Sequence, residues 1–219
     1  KQQIGLIGPI LDIDHRDNSF LPTRGYYNRY SLEYAAPALG SSQLIEFARL
    51  ESIYSHYLPL ISKKVVSASS ISGGYVKNLR YKTNSGVPLR YAFFLGGSST
   101  IRGFESTSRD ERIPSNDEFE AEDPIGLVVE NYSTYYLFKS EMRWDIYKEW
   151  GAVGFYDGGS VHVGGKEFKK PYRQSIGVGL RYNTPVGPIR LDLGWKLDRK
   201  KTEEKSEKQY RIHFAIGTF

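Results

Sequence analysis

The C-terminal half of this chain alternates apolar and charged residues with a period of two, and this pattern constrains the fold more than any other feature. Between residues 136 and 146, one set of alternate positions is apolar or aromatic: Tyr136, Phe138, Met142, Trp144 and Ile146. The intervening set is ionic: Lys139, Glu141, Arg143 and Asp145. Successive side chains of a β-strand point to opposite faces of its sheet. The pattern therefore predicts a strand with one apolar and one charged face.

The same alternation recurs at about residues 175–182, 189–197 and 210–217. A dry sandwich core would not accept full charges such as Arg190 and Asp192 without partners. The longest predicted strands span about 10–12 residues, close to the ~9–11 of a tilted membrane crossing and longer than the usual ~5–6. Pro/Gly turns and long charged loops also alternate between them, as in outer-membrane barrels. An all-β transmembrane antiparallel barrel is therefore predicted, with a soluble β-sandwich or lipocalin-like barrel as the alternative.

The composition is compatible with membrane strands and excludes several other classes. Mean hydropathy is −0.48, but strands that alternate polar and apolar residues average to such a value. The absence of cysteine excludes disulfides and thiolate sites. The net charge of +5 is mild, and basic residues alternate with acidic ones, so no nucleic-acid partner is expected. Lys1 opens the chain without a leader pattern, which indicates a removed signal peptide or a piece of a longer chain.

The N-terminal half carries weaker patterns that bring the total to about nine or ten strands. Four strands are predicted at about residues 4–14, 26–36, 43–58 and 64–77. Pro9 indicates an edge or an irregular start in the first of them, and Pro59 is expected to end the third. The C-terminal half adds five more, at about 136–146, 152–163, 175–182, 189–197 and 210–219.

The longest segment without a regular apolar pattern runs from about residue 80 to 132. Its distinctive stretch is Gly96-Gly97-Ser98-Ser99-Thr100-Ile101-Arg102-Gly103-Phe104. Glycines let a backbone turn sharply and approach other backbone closely, and a loop this long in a compact domain is commonly functional. The stretch is therefore expected to fold back and direct Arg102 at another part of the protein. The alternative is an ordinary exposed loop arginine.

Several motifs resemble those of one family of bacterial outer-membrane proteins. Ile101-Arg102-Gly103-Phe104 resembles the Val/Ile-Arg-Gly-Phe/Tyr motif of the BamA/TamA-like assembly and translocation barrels, the bacterial surface antigen superfamily. Further landmarks agree in order along essentially the whole chain: Asp14-His15-Arg16-Asp17-Asn18 with Pro22-Thr23-Arg24-Gly25, Glu141, Phe155-Tyr156-Asp157-Gly158, Tyr182-Asn183-Thr184-Pro185-Val186-Gly187-Pro188, and an aromatic-terminated last strand.

The resemblance implies a location, an architecture and a function. The family's barrel has sixteen strands, so the nine or ten here would form its C-terminal portion, with the loop of residues 80–132 extracellular and folded into the lumen. Residues 1–219 would be one β-barrel domain in the bacterial outer membrane. The implied function is assembly or insertion of outer-membrane proteins, or polypeptide translocation. The implied partners are outer-membrane lipid, client outer-membrane or secreted polypeptides, and accessory lipoproteins or periplasmic domains outside this sequence.

The resemblance also implies a loop-to-wall lock, by which we mean Arg102, Gly103 and Phe104 of the loop against Glu141 and Asp157 of the next two strands. In the family, the loop arginine pairs with acids at these two places. Parity agrees, because both carboxylates fall on the charged faces of their strands. Arginine suits the role, since its planar fork can hold two carboxylate oxygens and does not deprotonate.

In the same family, the first and last strands form a weak seam that receives client strands. The last strand here would form one side of it, through Tyr210, Ile212, Phe214, Ile216, Gly217 and Phe219. Gly217 lacks a side chain and is expected to weaken packing near the end of this strand.

No reaction centre is predicted, so the expectation is a protein that is not an enzyme and needs no cofactor or metal. The four histidines lie on separate strands without ligand spacing. A period of two splits Asp12, Asp14, His15 and Asp17 across two faces, which favours a charged strand end over a metal site. Four functions compete: an assembly factor, a secretion pore for a partner or attached passenger, a passive structural barrel, and a soluble lipid-binding barrel.

Overall fold

The computed structural model describes residues 3–61, 64–80, 85–104, 127–164, 172–185, 187–198 and 208–217. Its strands are β1 (Leu6–Ile7), β2 (Ile10–Asp14), β3 (Gly25–Ala35), β4 (Phe47–Ile61), β5 (Val65–Asn78), β6 (Val87–Pro88), β7 (Leu127–Val129), β8 (Tyr132–Tyr147), β9 (Trp150–Val163), β10 (Tyr172–Tyr182), β11 (Ile189–Lys196) and β12 (Tyr210–Ile216). Two single-turn 3-10 helices span Pro37–Leu39 and Leu89–Tyr91. Within the described ranges, no helix has the length and apolar character that a membrane crossing requires.

Ten of the strands form one antiparallel sheet in which successive passes of the chain are neighbours. Its order is β1-β3-β4-β5-β8-β9-β10-β11-β12, and β2 also pairs with β3. Because β1 and β2 pair with consecutive parts of β3, they are two halves of one pass, interrupted at Gly8 and Pro9. The sheet therefore makes nine passes, which confirms the predicted all-β antiparallel fold. Among the described residues, no ladder joins β12 to β1 or β2.

Several strand boundaries shift by a few residues, and one of them contradicts a stated reason for the boundary. β4 continues beyond Pro59 to Ile61, and its pairing with β5 shifts register between these two residues. Proline has no backbone N–H to give to the ladder, so the strand passes it with an irregularity. The prediction that Pro59 ends the third strand was wrong, because an irregular ladder tolerates proline near a strand end.

The two faces of the sheet differ in the way that the alternation predicts. On β8, Phe138, Met142 and Trp144 are exposed on one face, whereas Lys139 and Glu141 on the other face are only 3% and 2% exposed. Exposed aromatic residues opposite buried ions are the reverse of a soluble domain, in which charged residues are almost never buried without partners. This arrangement suits a wall with lipid outside and a polar lumen inside.

The connections fall into two groups at opposite ends of the passes. We call the end at which β2 connects to β3, β4 to β5, β8 to β9 and β10 to β11 the short-turn end. At the long-loop end, β3 connects to β4, β5 to β8, β9 to β10 and β11 to β12. In outer-membrane barrels, short turns face the periplasm and longer loops face the exterior. By that rule, the segment that contains Arg102 starts from the outer side.

The main apolar core lies where the segment of residues 85–104 covers the inner face of the sheet near the long-loop end. Its buried members are Ala35, Ile45, Phe47, Val76, Val87, Phe93, Leu95, Ile101, Phe104, Val129, Tyr135, Leu137, Val161 and Val163. β6 and β7 pair with each other within the predicted loop. Nearer the short-turn end, the described inner face of β8 to β11 is mainly ionic. The loop is thus anchored by hydrophobic burial at one end and reaches into the ionic region with its tip.

Candidate functional site

The tip of the loop is a compact backbone turn that presents Arg102. The Gly97 N–H donates to the carbonyl of Phe104 (2.9 Å), and the Gly96 N–H donates to Thr100 Oγ1 (2.7 Å). Gly97 has φ +94°, which lies in the left-handed region that favours glycine. The two glycines and the threonine hydroxyl therefore close the turn from inside. Residues 81–84 and 105–126 of the predicted loop lie outside the described residues.

The Arg102 side chain is fully buried, with 0% exposure, and its main partner is Asp157 of β9. Arg102 Nε and Nη2 donate to the two carboxylate oxygens of Asp157 at 2.8 and 2.7 Å. The Arg102 backbone N–H also donates to Asp157, at 3.1 Å. The carboxylate thus holds both the guanidinium and the backbone of the loop tip. Two parallel charge-assisted bonds give geometric specificity as well as energy.

Two more acids and an aromatic ring complete the surroundings of the guanidinium. Arg102 Nη1 donates to Glu141 of β8 and lies 3.5 Å from an Asp192 carboxylate oxygen of β11. The carbon at its centre lies 3.6 Å from the centroid of the Phe155 ring, a cation–π geometry. Burial alone would lower the pKa of Arg102, but the hydrogen bonds that Arg102 donates to Asp157 and the charges of Glu141 and Asp192 raise it above its ordinary value. Arg102 is therefore a permanent cation that three passes of the sheet share.

Close backbone approach fixes the loop tip against β11. A Cβ built on Gly194 would lie 2.1 Å from the Arg102 carbonyl oxygen, so only glycine fits at this position of the strand. A Cβ on Gly103 would lie 2.8 Å from Ser175 Cβ of β10. Both glycines therefore leave the space that the loop needs to contact the wall. Neither the strand pattern nor the loop motif alone predicts this close approach.

Phe104 anchors the tip from the other side. It is buried, and its ring centroid lies 4.6 Å from the Arg173 guanidinium and 4.8 Å from Lys196 Nζ. Two cations on one aromatic ring hold the phenyl group among inner-face charges. The structure thus brings together all five residues of the predicted lock: Arg102, Gly103, Phe104, Glu141 and Asp157.

Sequence reasoning missed two residues of this site. Asp192 lies beside Arg102 and accepts a hydrogen bond from Arg181 Nη1. Lys139, paired across the ladder with Asp157, donates from Nζ to the Ser99 carbonyl of the loop (2.9 Å). Both lie on charged faces that the alternation identifies, which was the available signal. Their place beside the loop depends on register and curvature, and the period of two does not encode these.

The terminal strand β12 lies at one end of the sheet. Its alternate side chains Tyr210, Ile212, Phe214 and Ile216 are each more than half exposed. Gly217 has φ +99°, and a Cβ there would meet open space. Glycine at this position therefore permits a left-handed backbone conformation. Its missing side chain leaves no gap in the packing, because no neighbouring atom would contact a Cβ there. Phe219, the last residue predicted for the seam, lies outside the described residues.

The acidic residues near the first turn have separate partners. Asp12 accepts from the Tyr27 hydroxyl, and Asp14 accepts from Arg16. Asp17 accepts from the Thr23 hydroxyl and backbone, and so organises the 15–24 turn. Within the described residues, no group of three or more His, Asp or Glu side chains has a metal-binding arrangement.

Comparisons with known proteins place this architecture in a family. The Omp85 superfamily domain matches residues 6–219. The chain is 24% identical over 208 residues to the outer membrane protein assembly factor BamA of Nitratidesulfovibrio vulgaris, covering 94% of this chain and 24% of that protein. It is 25% identical over 211 residues to the BamA of Neorickettsia risticii, covering 94% of this chain and 26% of that protein. The chain therefore spans about a quarter of the length of these relatives.

A solved structure agrees with the fold. The chain superposes on BamA from Haemophilus ducreyi lacking POTRA domains 1-3 with a TM-score of 0.67 and 18% sequence identity, over 94% of this chain and 41% of that chain. At this identity, the likeness supports the architecture of the sheet. With the family match across nearly all of its residues, the chain belongs to the Omp85 superfamily and forms part of a BamA-like β-barrel in the bacterial outer membrane.

Proposed function

We propose that this chain is the barrel-wall portion of a factor that assembles or inserts outer-membrane proteins, and that it works by positioning polypeptides without a reaction centre. One observation carries the proposal: a fully buried arginine of a long loop is held by Asp157, Glu141 and Asp192 on three different passes of the wall. The names of its relatives, which are assembly factors, support the same class of function.

The loop-to-wall lock would keep the lumen in one shape. Three carboxylates that are at most 1% exposed share one guanidinium, so removal of Arg102 leaves buried acids poorly compensated. Breaking a buried ion pair from one side commonly costs about 3–5 kcal/mol. The loop would then lose its ionic anchor, although its apolar core near the long-loop end remains. A lumen with an undocked loop would present a different surface to clients.

The terminal strand would be the place where clients enter. An unpaired strand edge offers a row of N–H and C=O groups that can pair with another strand, and such β-augmentation is a general means of recognising extended peptides. β12 pairs with β11 through the register Ile189 to Ile216 and Trp195 to Tyr210. The opposite edge of β12 has no ladder within the described residues. In this proposal, that edge forms one side of the seam.

The proposed partners follow from this arrangement. Outer-membrane lipid would contact the exposed apolar face, and client outer-membrane or secreted polypeptides would contact the seam. Residues 1–219 would act as one barrel domain, with accessory lipoproteins or periplasmic domains outside this sequence delivering the clients.

Replacement of the native gene by an Arg102→Ala variant tests the proposal. We expect reduced levels of folded client barrels in the outer membrane, whereas Arg24→Ala, which removes an exposed arginine from the first turn, should leave them normal. The measurement is client abundance in isolated outer membranes at matched levels of the two variants. Normal client levels with Arg102→Ala would contradict the role of the lock. Normal client levels with a loss of one secreted polypeptide would instead support a secretion pore.

A further inference from the structure

A small cavity lies at the short-turn end of the lumen, beside the loop tip, and Glu141 borders both. It has a volume of about 100 Å³. Leu21 and Pro22 of the first turn line it on one side, and Pro188 and Arg190 at the start of β11 line it on another. These residues come from opposite parts of the sheet, which shows how far the wall curves. The curvature of the sheet forms this cavity, because residues of several passes line it.

One buried arginine in this cavity has two donor atoms without a hydrogen-bond partner among the described residues. Arg190 is only 5% exposed, yet its Nε and Nη1 atoms have no hydrogen-bond partner among the described residues. Its neighbours differ: Arg181 donates to Asp192, and Arg143 donates to Glu141. An unpaired buried donor is costly, and buried polar groups in folded proteins are normally paired. The arginine therefore requires an acceptor that the described chain does not supply.

The charges around the cavity have an excess of cations. Lys64, Arg143, Arg181 and Arg190 contribute four positive charges to its lining, and Glu141 and Asp145 contribute two negative ones. Glu141 is already shared by Arg102, Arg143 and Arg181, so it cannot also neutralise the fourth cation. Asp192 lies outside the lining but pairs with Arg181, so one positive charge remains in excess beside Arg190. An anion would balance it.

We propose that this cavity binds a phosphate group, held chiefly by Arg190 with Arg143 and Arg181 beside it. A phosphate monoester or inorganic phosphate carries about −1.5 to −2 charges near neutral pH, which is enough to neutralise the cation that remains in excess. Guanidinium groups bind phosphate oxygens through several charge-assisted hydrogen bonds. The phosphate could come from the free ion or from a lipid whose headgroup is a phosphomonoester, since both present the same terminal oxyanion. The site does not include Arg102, so it can be tested separately from the proposed assembly function.

The test is calorimetric titration of inorganic phosphate into the full-length protein in detergent, in a non-coordinating buffer. We expect saturable binding, which Arg190→Gln weakens by about tenfold or more because it removes the central charged donor. The matched control is Arg29→Gln, which also removes one positive charge from the inner side of the sheet but lies on β3, outside the cavity lining. It should leave the affinity within about twofold, since its charge is partly exposed and screened.

Two further arms complete the test. Arg190→Lys keeps the charge and should retain part of the affinity, and the heat-dependent gel mobility of folded barrels checks that each variant is folded. Competition by glycerol 3-phosphate at similar concentration would assign the site to a lipid headgroup, and its failure to compete would assign it to the free ion. The proposal is overturned if phosphate shows no saturation up to about 10 mM, a range in which even weak site binding is measurable. Equal weakening by Arg190→Gln and Arg29→Gln would overturn it as well, as would capture of an acidic peptide where phosphate does not bind.

Discussion

At the scale of single residues, the site depends on one cation shared by several anions. Arg102 donates two parallel hydrogen bonds to Asp157. Glu141, which also accepts from Arg102, forms ion pairs with Arg143 and Arg181. Glu141 is therefore the acid with the most cationic neighbours in this cluster, and its loss would leave three guanidiniums with fewer acceptors. The sequence predicted the Arg102 pairs through the family motif and strand parity. It could not predict that Asp192 joins them, because that contact needs the curvature that brings β11 to β8.

Replacing Glu141 by Gln should therefore destabilise the protein. The neutral amide keeps the shape but leaves buried guanidiniums uncompensated, and we expect a loss of about 3–5 kcal/mol in the free energy of unfolding. Urea unfolding followed by tryptophan fluorescence measures it. Glu149→Gln, in the exposed turn between β8 and β9, is the matched control and should change stability by less than about 0.5 kcal/mol. Similar midpoints for the two variants would contradict the importance of the cluster.

At the scale of elements, the loop and the strands fit through backbone contacts as well as charges. Gly194 of β11 leaves room for the Arg102 carbonyl, and Asp17 gives the 15–24 turn its shape through Thr23. Strand positions and faces were predictable, because period two reports them directly. The end of β4 was not, since a bulge lets the ladder continue past Pro59.

Gly194→Ala should release the loop tip from the wall. The added methyl group would meet the Arg102 carbonyl at 2.1 Å, so either the strand or the loop must move. We expect faster hydrogen exchange at the Gly97 amide, which is otherwise bonded to Phe104. Gly154→Ala on β9 is the control, because its Cβ would meet open space. Unchanged exchange in Gly194→Ala would show that the close approach does not hold the loop.

The 15–24 turn should depend on pH through Asp17. Burial raises the pKa of this carboxyl, but hydrogen bonds from Thr23 and from the Thr23 and Arg24 amides outweigh it and lower the pKa below its ordinary value. A depressed folded-state pKa gives a stabilisation that is present above the unfolded-state pKa and is lost as the pH falls through the folded-state pKa. We expect protection of the Thr23 amide to fall on acidification in the native protein and to be low at every pH in Asp17→Asn. A pH profile identical in both proteins would contradict this assignment, with Glu149→Gln as the charge-matched control.

At the scale of the whole molecule, nine antiparallel passes form a curved wall with one end at β12. The number of passes and the identity of the lipid face follow from the sequence, because exposed residues such as Phe138 and Met142 alternate with buried ones such as Lys139 and Glu141 along most of β8. The Arg190 cavity does not follow from it, because its walls come from the first turn and from β11, far apart along the chain. Local patterns report which face a residue occupies, and only the curvature decides which distant residues meet there.

If β12 receives clients, cysteine crosslinking should detect them there. The chain has no native cysteine, so Ile212→Cys on β12 gives a unique thiol. We expect it to form a disulfide with a client that carries a cysteine in its last strand, during active assembly. Val178→Cys has a similar exposed position on β10, which is paired on both sides, and should give little product. Equal yields at the two positions would contradict a seam at β12.

The order of residues along the chain bears on when the loop-to-wall lock forms during folding. Arg102 precedes its three acids by 39, 55 and 90 residues, so the chain contains the cation long before it contains the last of its partners. Contacts between such distant residues form only after the intervening segments have been arranged. We therefore expect the loop to dock late in the folding of this wall, after the strands through β11 have reached their final register.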